Sequence, residues 1–128
     1  MRHRQKRTLE LSTGVQKKNL VVRTMLTNLV THGKMTTTPK RAKVLKAETD
    51  SFFSKLVRTY KRFEDEKSSK REVIRIIKST ILTEDAGKKI IADLLPRYLD
   101  GNTGSFVADY KMGARPGDAS EKIMLKLL

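Results

Sequence analysis

The stretch Thr36-Thr37-Thr38-Pro39-Lys40-Arg41 sets three hydroxyls, a proline and two cations at what reads as the start of a helix, with Lys34, Lys43 and Lys46 close by. Thr38 suits a cap position, and Pro39 suits the first helical turn, where its missing N–H costs nothing. A helix N-terminus carries about half a positive charge and normally attracts acids. Lys40, Arg41 and Lys43 are therefore at the wrong end for a helix that stands alone. An anion would resolve the conflict. The N–H groups of the helix start, the hydroxyls of Thr36, Thr37 and Thr38, and the cations of Lys34 and Lys40 could converge on one phosphate, with Arg41 able to join them. That is binding chemistry.

Other chemistry finds less support. His3 stands in a basic N-terminal stretch and His32 at a helix end, and the chain has no Cys. Neither a metal site nor a nucleophile–histidine pair is expected from two separated imidazoles. "HGKM" resembles the end of a phosphate-binding P-loop, but Asn28 stands where its first Gly should be and Met35 where Ser or Thr is required. The order is also reversed, helix before strand. No enzyme activity, cofactor or small-molecule substrate is expected.

Charge points the same way as the threonine stretch. The 128 residues carry 28 Lys/Arg against 14 Asp/Glu, a formal +14 with pI about 10.3. Residues 1–62 hold 16 of the cations and only three acids, Glu10, Glu48 and Asp50. Residues 63–128 are nearly balanced. One half is built to meet a polyanion, which is a statement about partners rather than fold. No apolar run approaches the roughly 20 residues of a membrane span, and the basic start is followed by no apolar block of a signal peptide. A cytoplasmic protein with no membrane insertion is the expectation.

The elements that position these residues follow from periodicity. Residues 1–12, with Arg2, His3, Arg4, Lys6 and Arg7, read as a basic N-terminal arm, whose bland alternative is a solubilising tail. A first helix is predicted from Thr13 to Thr31, containing Lys17, Lys18 and Arg23, with Val15, Val22, Met25, Leu26, Leu29 and Val30 on one face and Gly33 as its stop. "KMTTT" reads as a short strand. A second helix from Pro39 to Phe63 buries Ala42, Leu45, Thr49, Phe52, Phe53, Leu56, Tyr60 and Phe63. It gathers Lys40, Lys43, Lys55, Arg58, Lys61 and Arg62 on the other face. Acids normally interleave with bases on a solvated face, and here the cations run almost unaccompanied.

Glu64-Asp65-Glu66 reads as a linker and Ser69-Lys70-Arg71-Glu72 as a capping box opening a third helix, with Val73, Ile76, Ile77 and Ile81 inward. Thr83 is expected to cap a fourth, with Ile90, Ile91, Leu94 and Leu95 inward. Two alternating segments, 106–112 and 122–127, read as strands joined through "GARPGD". The fold class is α+β: four helices packed beside a small three-stranded sheet, with a basic N-terminal extension on a single domain, residues 13–128. The aromatics of the basic half, Phe52, Phe53 and Tyr60, fall on the buried stripe. That favours shape-and-charge recognition of a folded nucleic acid over base stacking.

"MRH" at the start, "NLVTHG", "TTT", "KRAKVLK" and "RPGD" together resemble the bacterial large-subunit ribosomal protein L17 family, over essentially the whole chain and most densely from Arg23 to Lys46. The resemblance implies a structural component of the large ribosomal subunit, bound to its large RNA near the polypeptide exit tunnel beside neighbouring ribosomal proteins. It implies that Arg2, His3, Arg23, His32, Gly33, Thr36, Thr37, Lys43 and Arg115 are RNA-facing or framework positions. Lys17 and Lys18 stand where the family commonly has His-Arg. Departures are Leu11 in place of an arm arginine, Gly104-Ser105-Phe106-Val107-Ala108 in place of Gly-Gly-Tyr-Thr-Arg, and a terminal "KLL". They concentrate the expected contacts in the N-terminal half. The alternative is a non-specific DNA-binding architectural protein, which shares the basic face.

Overall fold

Met25, Leu26, Leu29 and Val30 recur at helical spacing and are all buried, on a helix α1 that runs Lys18–His32. A computed structural model describes Leu11, residues 18–101 and residues 105–128, with Lys18 described in backbone only. The expected first turn of α1, residues 13–17, lies outside the described residues. Gly33 ends the helix at φ +76°, a conformation glycine adopts without steric cost, and its N–H donates to Leu29 O at 2.7 Å. β1 follows at once, Lys34–Thr37.

Helix α2, Pro39–Arg62, buries Ala42, Leu45, Thr49, Phe52, Phe53 and Leu56 as the spacing predicts, and Val44 besides. Tyr60 and Phe63 are only half-buried, because the helix end reaches the edge of the core. Phe53 lies at the centre of an aromatic cluster, with ring centroids 5.0 Å from Tyr98 and 5.8 Å from Phe106. Edge-to-face packing of this kind adds to what burial alone contributes.

Helix α3 begins earlier than the sequence suggests, at Glu66, and runs to Thr80. The linker is shorter to match. Asp65 is its cap, accepting from the Lys67 N–H at 3.2 Å. Ser69, read from sequence as the cap, is instead buried one turn inside the helix. Its hydroxyl lies 3.0 Å from Tyr60 O and 3.3 Å from Phe63 O, the carbonyls that α2 leaves without helical partners. The Ser-x-x-Glu pattern was a packing contact.

The fourth helix opens after Thr83 as α4, Glu84–Lys89, widens into a π-helical turn at Ile90–Leu94 and continues as α5, Leu95–Asp100. Thr83 takes the cap backbone conformation but makes no side-chain cap bond. The wide turn has a cause in Pro96, which has no N–H for an ordinary i−4 bond and whose ring would crowd that carbonyl. The Leu95 N–H reaches back to Ile90 O instead. Ile90, Leu94 and Leu95 are buried, while Ile91 is half-buried.

β2, Val107–Ala114, and β3, Glu121–Leu127, complete an antiparallel sheet in the order β1-β3-β2. Ile123, Leu125 and Leu127 face the helices. Directly paired residues share a face, so Val107, Asp109 and Lys111 lie on that same side, and Ala108 and Tyr110 lie on the outer one. The more apolar alternation of β2 thus faces solvent, with Tyr110 47% and Met112 51% exposed. Among the described residues the architecture is α+β, four helices beside a three-stranded sheet. Its core also takes in Leu11, which sequence reading placed in the arm.

Candidate nucleic-acid interface

The start of α2 carries no acid in its first turn. Thr38 takes the cap conformation, with φ −76° and ψ 158°, yet its side chain makes no cap hydrogen bond. Lys40, Arg41 and Lys43 are exposed there. The arrangement therefore has the field of a helix N-terminus and three neighbouring cations facing solvent.

The threonines do not converge as a set. β1 is extended, so successive side chains alternate, with Thr36 on the outer face beside Met124 and Thr37 on the inner face beside Ile123. Lys34 stands at the far end of the strand, roughly 13 Å of extended chain from Thr38. It is grouped with different residues, opposite Lys126 on β3.

Lys46, Arg23 and Arg115 are among the candidate cations with partners within the fold. Lys46 Nζ lies 2.9 Å from Asp109 Oδ1, tying α2 to β2 and holding the Asp109 carboxyl below its ordinary range. Arg23 Nε donates to Thr80 O at 3.0 Å, a cation at the C-terminal end of α3. Arg115 Nε donates to Asp118 Oδ1 at 2.7 Å inside the β2–β3 turn. His32 closes α1 and is exposed. Arg2, His3, Arg4, Lys6, Arg7 and Lys17 lie outside the described residues, and Lys18 opens α1.

The second run of bases on α2 has a partial explanation in the fold. Lys61 and Arg62 occupy the last turn, where cations complement the helix dipole, and the Arg62 guanidinium stands 5.8 Å over the Phe63 ring. In the first run, Lys46 is accounted for by its ion pair with Asp109.

Three cations not singled out from sequence join His32 and Lys34. Lys89, Arg97 and Lys126 line the same cleft between the end of α1, the fourth helix and the end of β3. Lys126 alternates with the buried Leu125 and Leu127, and the pairing of β1 with β3 brings it beside Lys34. Among the described residues no cluster of His, Cys, Asp and Glu could hold a metal ion, and no helix is long and apolar enough to cross a membrane.

A helical body with cations exposed at one helix start and along one sheet edge has the build of a basic α+β protein. Comparison with known proteins names its kind: the chain belongs to the ribosomal protein L17 family, which it matches over residues 21–128. It is 30% identical to the large ribosomal subunit protein bL17 of Rubrobacter xylanophilus, over all of this chain and 96% of that one. The bL17 of Clostridium acetobutylicum is 31% identical over 93% of this chain and 95% of its own length. That of Clostridium perfringens is 29% identical over 93% and 96%. This is a structural protein of the ribosome and not an enzyme.

Proposed function

We propose that this protein binds large-subunit ribosomal RNA through phosphate contacts from residues 1–62, near the polypeptide exit tunnel and beside neighbouring large-subunit proteins. Its family makes it a structural constituent of the large ribosomal subunit, in the cytoplasm. The location near the tunnel rests on the family resemblance alone.

The observation that carries the RNA reading is the start of α2. Lys40, Arg41 and Lys43 crowd a helix N-terminus that has no acid in its first turn and no side-chain cap from Thr38. A phosphate there removes the repulsion and accepts from the backbone N–H groups at once. Around it, the basic face of α2 and the cations of residues 2–18 supply sequence-independent neutralisation. The sheet and fourth helix give rigid backing.

Two measurements test this. On a density gradient, the protein should travel with the large subunit through a high-salt wash. Migration with chromosomal DNA would favour the architectural DNA-binding alternative. Arg41→Glu is the sharper probe, because it occupies the third helical position after the Thr38 cap and would complete a Thr-x-x-Glu capping box. The variant should be more stable than the parent by about 0.5–1 kcal/mol and should bind deproteinised large-subunit RNA more weakly. A destabilised variant, or one with undiminished RNA affinity, would refute the helix-end site.

A further inference from the structure

Lys34 and Lys126 face each other directly across the β1–β3 pair. Like charges at directly opposed strand positions repel and are ordinarily avoided. Both side chains are exposed, and neither has an ion-pair or hydrogen-bond partner among the described residues. Into the same place the fourth helix sends Lys89 and Arg97, forming with His32 a cleft of about 270 Å³. Two of these cations are anchored by the fold: Lys89 Nζ donates to Thr31 O at 3.1 Å, and Arg97 Nη1 to Leu128 O at 3.2 Å. Among the described residues, Asp93 is the one acidic side chain that lines the cleft.

We infer that this cleft is a second phosphate site, taking the phosphodiester backbone of an RNA. Among the described residues, four lysine and arginine side chains against one acidic side chain suit an anion, and the presence of a guanidinium allows paired hydrogen bonds to phosphate oxygens. No Phe, Tyr or Trp lines the cleft to stack on a base, so the recognised part is the backbone. The site rests on the reading that the protein binds ribosomal RNA, and it extends the contact surface. Three of its cations, Lys89, Arg97 and Lys126, come from the half of the chain whose charge is balanced. Extended β1 separates it from the start of α2, so the two would hold different phosphates.

The test uses full-length protein and deproteinised large-subunit RNA, with filter binding over a series of KCl concentrations. The Lys34→Gln, Lys126→Gln double variant should lose about tenfold in affinity at low salt and show a salt slope shallower by about 1–2. The Lys34→Arg, Lys126→Arg double variant should keep both. In the parent protein, acylation of Lys34 and Lys126 by an amine-reactive reagent, read by mass spectrometry, should fall when the RNA is bound. The glutamine variant should melt no lower than the parent, since relieving the opposed charges cannot harm the free protein.

An unchanged slope together with equal acylation would overturn the site. If Arg41→Glu weakens RNA binding and the glutamine pair does not, this cleft fails while the wider RNA reading stands. If the parent protein does not bind the RNA at all, both fail.

Discussion

The turn between β2 and β3 shows what a single residue does. Asp118 accepts from Arg115 Nε at 2.7 Å, from the Ser120 N–H at 3.2 Å and from the Ser120 hydroxyl at 3.1 Å. The hydrogen-bonded guanidinium of Arg115, followed by the Ser120 N–H, holds its carboxyl well below the usual carboxylate range. The backbone here needs that help, because Ala119 sits at φ 56° and Gly117 at 103°. A group whose folded pKa is depressed contributes stability above its unfolded value and loses it as pH falls. Asp118→Asn should therefore melt below the parent at pH 7. The gap should close as pH drops below about 4, the ordinary aspartate value, in thermal melts run across that range. A constant gap down to pH 2.5 would mean that the charge is irrelevant to the turn. "RPGD" was legible as a turn from its glycine and proline. That Arg115 is engaged inside it was not, since the motif looks the same whether the guanidinium faces RNA or its own Asp118.

Elements were read correctly where apolar spacing was regular, as in α2 and in the described part of α1. They were misread where two local rules competed. Ser69-Lys70-Arg71-Glu72 satisfies a capping box, but Asp65 caps the helix first and leaves the Ser69 hydroxyl to serve the end of α2. Ser69→Ala should cost about 1–2 kcal/mol, the typical loss when buried hydrogen-bonding groups lose a partner. A lower urea midpoint with an unchanged slope would show it; an unchanged midpoint would mean the α2 carbonyls find other donors. The π-turn at Ile90–Leu94 was equally hidden. Pro96 suggests a disturbance, and whether the chain breaks, kinks or widens depends on what packs against it. In β2 the alternation alone does not say which face is buried, because register is set by pairing with the buried Ile123, Leu125 and Leu127.

At the scale of the whole molecule, the uneven distribution of charge was the most legible feature, and it needs no fold to be seen. Its arrangement does need the fold: Lys34 leaves the helix-end group for the cleft because β1 is extended, and Lys46 is drawn toward Asp109. If about six phosphates are met in all, log K for RNA should fall with log salt at a slope near −5, borrowing the duplex DNA coefficient. A slope near zero would mean that the contacts are not ionic. The order β1-β3-β2 carries one more consequence. The central strand is translated after both of its neighbours, so β1 and β2 must each wait for residues 121–127 before gaining a partner. Until then the helices can pair locally, but the strand bearing Lys34 and the start of α2 have no sheet behind them. The nascent chain should thus acquire its basic surface before that surface has a fixed shape. Charge would draw it toward RNA early, and the fit would be decided last.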